Sequence, residues 1–205
     1  VKAAAAGRLS NTGQACICPN RFIVHRSIAE PFLATLRARV DKLMPGDGLA
    51  KGTTVGPLID DVAVKKMERQ VADAAAKGAK VVTGGNRLRG TVFDDGCFFA
   101  PTILSDVTPD MLICSEETFG PIAPVMVFDD EDEAIGLANS TSYGLAGYIY
   151  TRDISRALRV AEALDFGMIG INDINPTSAA VPFGGIKDSG LGREGARAGI
   201  ASQAA

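Results

Sequence analysis

Histidine occurs once in the 205 residues, at position 25, and cysteine four times, at positions 16, 18, 97 and 114. So little histidine removes the usual general base and the commonest metal ligand from nearly the whole chain. A zinc site wants about four ligands. Cys16 and Cys18 form a Cys-x-Cys pair, but His25 falls in a β-rich run and Cys97 and Cys114 fall in other elements, so no metal is expected. The uneven cysteine spacing argues against a disulfide framework and for a reducing compartment, with the cytoplasm as the default expectation. No apolar run approaches the length of a bilayer span. The opening Val1-Lys2-Ala3-Ala4-Ala5-Ala6-Gly7 is small and alanine-rich without an apolar h-region, and does not read as a signal peptide. A net charge of −3 gives no reason to expect nucleic acid or an anionic membrane as partner. Internal repeats, low-complexity segments and a domain linker are also lacking.

What is present suits one well-filled α/β domain, with 46% apolar and 22% charged residues. Residues 1–14 read as the end of a helix running into a turn. Phe22-Ile23-Val24-His25 is a short strand pattern, with His25 a surface residue of it. Over residues 28–43, Ile28, Phe32, Leu36, Val40 and Leu43 recur at helical spacing, and Pro45-Gly46-Asp47-Gly48 ends the run. A second helix spans about Val62 to Lys77, with Gly78 placed as its C-cap. Lys80-Val81-Val82-Thr83 before Gly84-Gly85 reads as a buried strand and its exit turn, and the polar stretch 86–97 as a surface loop or hairpin. Helix then strand recurs at Glu131–Asn139 with Ala146–Tyr150, and at Ile154–Leu164 with Met168–Asn172. This alternation predicts a mainly parallel sheet covered by helices.

Three segments can carry chemistry. In Asn11-Thr12-Gly13-Gln14-Ala15-Cys16-Ile17-Cys18, Cys16 follows a turn. A turn presents the sulfur and leaves N–H groups free for a developing oxyanion. An arbitrary cysteine is more often a small buried hydrophobe. The acidic pair of Glu116-Glu117-Thr118-Phe119-Gly120-Pro121 would, by itself, be a helix-start or loop feature. In Pro182-Phe183-Gly184-Gly185-Ile186-Lys187-Asp188-Ser189-Gly190-Leu191-Gly192-Arg193-Glu194, Gly185 and Gly190 have the first spacing of a P-loop, but Leu191-Gly192 follows where Lys-Ser/Thr is required. No G-x-G-x-x-G follows a strand and opens a helix. These glycines suit a loop that passes close to other backbone.

Together, in this order, the three segments resemble the NAD(P)-dependent aldehyde dehydrogenase superfamily over nearly the whole chain, and within it the succinate-semialdehyde group. The resemblance implies a doubly wound α/β catalytic domain, residues 1–205, with helices on both faces of the sheet and Cys16 on a loop between domains. It makes Cys16 the nucleophile, forming a thiohemiacetal and then a thioester with a small aldehyde, and NAD or NADP the cofactor. Glu117 would accept hydrogen bonds from the nicotinamide ribose hydroxyls, Phe119 would pack by the cofactor, and Glu116 would be structural. Phe183 would line the substrate tunnel, and Thr177 and Ser178 would face the substrate's distal carboxylate. Ser10 stands where that group holds an anion-binding arginine, with Arg8 two residues earlier. Cys18 is either the partner of Cys16 in a reversible redox switch or a packed bystander.

The family's glutamate base, its oxyanion asparagine and its main cofactor motifs would lie upstream, and its intersubunit strand would follow Gly199-Ile200. The resemblance therefore implies a catalytic domain from a protein more than twice as long, itself a homo-oligomer, dimer or tetramer, with the isolated chain inactive as a dehydrogenase. Two other readings stay open on the residues alone: a cysteine hydrolase or acyl-transfer enzyme built on Cys16, and a non-catalytic module that retains the fold.

Overall fold

Four consecutive buried residues, Thr102–Ser105, form the strand around which the first half of the molecule is organised. The computed structural model describes residues 1–203. They divide into two compact units, 1–129 and 130 onward.

In the first unit, α1 (Lys2–Leu9) runs into a single 3-10 turn (Ser10–Gly13), followed by β1 (Phe22–His25), α2 (Arg26–Val40), α3 (Asp61–Ala76), β2 (Lys80–Thr83), β3 (Thr102–Ser105), α4 (Leu112–Ser115) and β4 (Ile122–Phe128). The strands form one sheet in the order β1-β4-β3-β2. β1 and β3 each run parallel to β4, with Phe22 opposite Val125 and Thr102 opposite Ile122, while β2 is antiparallel to β3. Ile103, Ala123 and Val125 share one core cluster with Phe22, Val24, Leu36 and Val40, onto which Ala4, Ala5, Leu9 and Phe32 pack from α1 and α2. Each such large aliphatic side chain contributes about 1.5–3 kcal/mol by leaving water. Leu104, Ile122 and Met126 alternate to the other face and are equally buried, as are Val64, Met67, Val71 and Ala74 of α3.

Two expectations need correction here. β2 is not a buried strand. It is the sheet's edge, with Val81 42% exposed, because nothing among the described strands pairs beyond it. Ile28 lies 54% exposed on the first turn of α2, outside the buried stripe that Leu36 and Val40 form. The end of α3 follows its sequence closely. Gly78, at φ +100°, lets its own N–H reach Ala75 O and that of Ala79 reach Ala74 O, the two bonds of a Schellman cap.

In the second unit, α5 (Glu131–Asn139), β5 (Tyr143–Gly144), β6 (Ala146–Ile149), α6 (Ile154–Ala163), β7 (Met168–Ile171), β8 (Ile186–Lys187) and α7 (Ala196–Gln203) follow in order. β6 and β7 are parallel neighbours joined through α6, a βαβ unit, and β5 pairs antiparallel with β8. Asp130 and Asp153 cap α5 and α6, and Glu131 accepts from both Arg156 and Arg159, tying the two helices together. The whole is an α/β fold with mainly parallel strands. Among the described residues no helix is long and apolar enough to cross a membrane.

Candidate active site

The alanines of α1 favour helix up to Leu9, and then the backbone turns left-handed. Asn11, Thr12 and Gly13 take φ values of +47°, +59° and +75° in succession. For a β-branched residue such as Thr12 this region is strained and persists only when its surroundings hold it. They do. Thr12 Oγ1 donates to Gly56 O at 3.2 Å, and Gln14 N donates to Asn11 O at 3.0 Å. At Gly13 a Cβ would collide with the carbonyl of Gly120, so the position is fixed as glycine by φ and by space together. Gln14 hydrogen-bonds Pro57 O, Asn11 O and Ile59 N through its side chain. A tight turn closes next, with Cys18 N donating to Ala15 O at 3.0 Å. Cys16 sits in that turn with its side chain exposed, and among the described residues no hydrogen bond engages its backbone N–H.

Arg8 binds this turn to the second segment. It is 1% exposed, with Nε donating to Ile122 O at 2.6 Å, Nη1 to Pro19 O at 3.2 Å and Nη2 to Gly120 O. Burial lowers its pKa to about 10, with Cys18 and Glu117 opposing the shift. Its guanidinium is committed to three backbone carbonyls. Cys18 is half-buried, with its sulfur 3.7 Å from Ser10 O. Burial pushes its thiol up; Arg8 opposes the shift and Cys16 adds to it.

Asn20 fixes the other side of the site. Its Nδ2 donates to Glu116 O at 3.2 Å and its Oδ1 accepts from Thr118 N at 3.0 Å. Glu116 is held by Arg69 at 2.6 and 2.9 Å, and this pair draws its carboxyl below the ordinary range. Glu116 is thus engaged in an ion pair within the fold. Glu117 is exposed, and among the described residues no hydrogen bond or ion pair engages its carboxylate. Phe119 follows at φ +48°, half-buried. For Lys66 of α3, burial lowers the ammonium pKa, and Glu117 and then Glu116 oppose the shift. Sequence reasoning named neither Lys66 nor Asn20. A lone lysine on an amphipathic helix and an asparagine after a turn give no signal until the fold brings them to residues 116–118.

The first unit thus brings Cys16, Cys18, Glu117 and Phe119 around one junction of two loops. Thr177, Ser178 and Phe183 lie in the second unit. Thr177 is exposed, with Oγ1 at 2.5 Å from Asn175 Oδ1, and the hydroxyl of exposed Ser178 accepts from Ala180 N at 3.4 Å. Phe183 is half-buried and pairs with Glu194 by two backbone bonds of 2.8 and 2.7 Å, closing the glycine-rich loop into a narrow hairpin. Arg193 Nη1 reaches Gly185 O, Leu191 O and Gly192 O inside it. The glycines serve this close packing, since a Cβ at Gly184 would strike Gly192 O and the Arg193 side chain.

His25 caps α2 by accepting from Ser27 N, and its ring lies edge-on to Phe128 at 5.2 Å. Among the described residues no group of three or more His, Cys, Asp or Glu side chains could hold a metal ion. Chemically the junction offers an exposed thiol on a pinned turn, an unpaired N–H at the same residue, and a carboxylate acceptor with a half-buried aromatic ring beside it.

Comparison with known proteins places the chain. The model of the aldehyde dehydrogenase family matches residues 1–204. Mouse mitochondrial succinate-semialdehyde dehydrogenase is 51% identical over 201 residues, covering 98% of this chain and 38% of its own length. Among solved structures, an NADP-dependent enzyme of E. coli superposes with a TM-score of 0.93 at 48% identity, covering 98% of this chain and 41% of that one. Betaine aldehyde dehydrogenase from Staphylococcus aureus in complex with NAD+ superposes with a TM-score of 0.93 at 40% identity, covering 98% and 40%. The chain therefore spans about two fifths of the length of the relatives it matches.

Proposed function

Because this chain belongs to the aldehyde dehydrogenase family, we propose that it carries the nucleophile of an NAD(P)-dependent dehydrogenase acting on a short aldehyde with a distal anionic group, such as succinate semialdehyde. The observation that carries the reading is the exposed Cys16 three residues after Gly13, whose backbone packs against Gly120, the residue that follows Phe119.

Cys16 as thiolate adds to the aldehyde carbon, and the carbonyl oxygen takes up negative charge that its own N–H can meet. Collapse leaves an acyl group on sulfur for water to remove. A nicotinamide dinucleotide, when bound, supplies the acceptor for the hydride that the adduct loses. The residues present fit such a group: Glu117 has both carboxylate oxygens available for vicinal hydroxyls, and Phe119 offers an apolar surface beside them. NAD and NADP are both supported by relatives, one enzyme being NADP-dependent and another holding NAD+. In the same reading Thr177 and Ser178 offer hydroxyls to the distal carboxylate and Phe183 an apolar wall. Cys18 is the candidate resolving thiol. The complete protein is a homo-oligomer, dimer or tetramer, of a reducing compartment with the cytoplasm as default, and the 205-residue chain alone gives no dehydrogenase turnover.

A hydrolase built on Cys16 would need a base, and His25 is occupied in capping α2. The complete protein provides the test. kcat/KM for succinate semialdehyde should exceed that for uncharged butanal by about tenfold or more, since a charge-assisted contact is worth ~1.5–3 kcal/mol. Equal values would remove the anionic substrate from the proposal.

A further inference from the structure

Both ends of the Gln14 amide are used on backbone. Nε2 donates to Pro57 O at 3.2 Å and Asn11 O at 3.3 Å, and Oε1 accepts from Ile59 N at 2.9 Å. Thr12 adds a tie to Gly56 O, so the segment 56–59 receives the left-handed turn at three points. That segment is itself anchored. Leu58 is 3% exposed and its N–H donates to Cys97 O at 2.8 Å, and Asp60 caps α3 through Ala63 N at 2.7 Å. Within the Cys16 turn, Cys18 N donates to Ala15 O at 3.0 Å.

We propose that Gln14 is a positioning residue for Cys16: its amide transmits the rigidity of the α3 entry to the turn that presents the thiol. The inference rests on Cys16 as the nucleophile. Asn11 and Thr12 leave the left-handed region unless held. Without the amide the turn relaxes, and the sulfur and the Cys16 N–H lose their fixed places. Alkylation of a thiol by iodoacetamide asks only for an exposed thiolate. Acylation by an ester asks also for a donor placed where the oxyanion forms. Loss of positioning therefore slows acylation and spares alkylation, whereas a residue with a merely structural role would move both or neither.

The test uses the full 205-residue chain, with acetylation of Cys16 by nitrophenyl acetate and its alkylation by iodoacetamide both mapped by mass spectrometry. Gln14→Met removes all three bonds. Gln14→Glu keeps the acceptor for Ile59 N but sets a carboxylate oxygen against two carbonyls. At about pH 7 acetylation should fall about tenfold or more in both variants, with alkylation within about twofold of the unsubstituted chain. At about pH 5 the acetylation deficit of Gln14→Glu, taken relative to the unsubstituted chain, should shrink. The introduced carboxyl, its pKa raised by facing carbonyl oxygens, then regains a proton to donate. Gln14→Met should show no such recovery. Acetylation and alkylation moving together, a deficit in Gln14→Glu unchanged by acid, or loss of the cooperative melt in both variants would each overturn the inference. An unsubstituted chain that acetylates elsewhere than Cys16 would overturn the nucleophile reading, and this inference with it.

Discussion

Gly13 and Gly120 pack backbone to backbone, leaving no room for a side chain at the first and bringing Met67 Sδ against the second. The contact joins two segments more than a hundred residues apart in sequence, and Arg8 closes it by donating to the Gly120 carbonyl. It sets the distance between the turn of Cys16 and the segment of Glu117 and Phe119.

Gly13→Ala tests that contact against backbone strain alone. Gly78 also has positive φ, at +100°, but a Cβ there meets nothing within 4 Å. Gly78→Ala should cost about 1–2 kcal/mol, the ordinary left-handed penalty. Gly13→Ala should cost about 3 kcal/mol or more, since the neighbour is backbone and cannot yield. Urea unfolding measures both, and equal losses would mean the loops adjust freely.

Replacing Arg8 removes a buried cation and orphans the carbonyls it satisfies. Arg8→Met should destabilise by about 3 kcal/mol or more, at about 1–3 kcal/mol for each buried carbonyl left unsatisfied. Arg8→Lys, which keeps the charge but not the planar fork, should lose less. A methionine variant as stable as the parent by calorimetry would show that water satisfies Gly120, Ile122 and Pro19 equally well.

Acid stability follows from the carboxylates. Asp61, through Lys65 and Arg87, Glu116 through Arg69, Asp129 through Arg26 and Glu131 through Arg159 are all held below their ordinary range. A folded pKa below the unfolded one contributes stability that is complete above the unfolded value and lost as pH falls through the folded value. The Tm should therefore be level from about pH 7 to about pH 5 and fall below about pH 4. Glu116→Gln should have a lower Tm near neutrality and a shallower acid loss. A Tm that rises on acidification would contradict these assignments.

Cys16 and Cys18 should behave as a coupled pair. Dilute peroxide should consume both thiols and dithiothreitol should return both, because a bridge across one intervening residue is strained and easily reduced. In Cys18→Ala, oxidation of Cys16 has no resolving thiol and should run on to forms that dithiothreitol does not restore. Full recovery of that variant after the same treatment would leave Cys18 a packed neighbour.

Periodic elements were legible in the sequence; buried ones were not. α3, α5, α6, β1, β6 and β7 stand where spacing and turn residues put them, and Gly78 caps as its position suggests. β3 and β4, the interior strands of the first sheet, escaped notice. They are buried on both faces and so show no alternation, and β4 carries Pro124 in its middle. Of the candidate site, the motifs that name Cys16, Glu117 and Phe119 were legible, and the two loops that carry them pack together at Gly13 and Gly120. What held them there was not. Arg8 lies in an alanine helix like any surface arginine, and the left-handed Thr12 breaks a steric preference that only tertiary contacts override.

The most direct measurement is substoichiometric alkylation of the native chain with iodoacetamide, followed by mass mapping of all four cysteines. Cys16 is exposed on its turn, Cys18 is half-buried with its thiol pushed up, Cys97 is half-buried, and Cys114 is buried with its thiol also pushed up by burial. The account predicts that the first label falls on Cys16. A first label on Cys97 or Cys114 would contradict it.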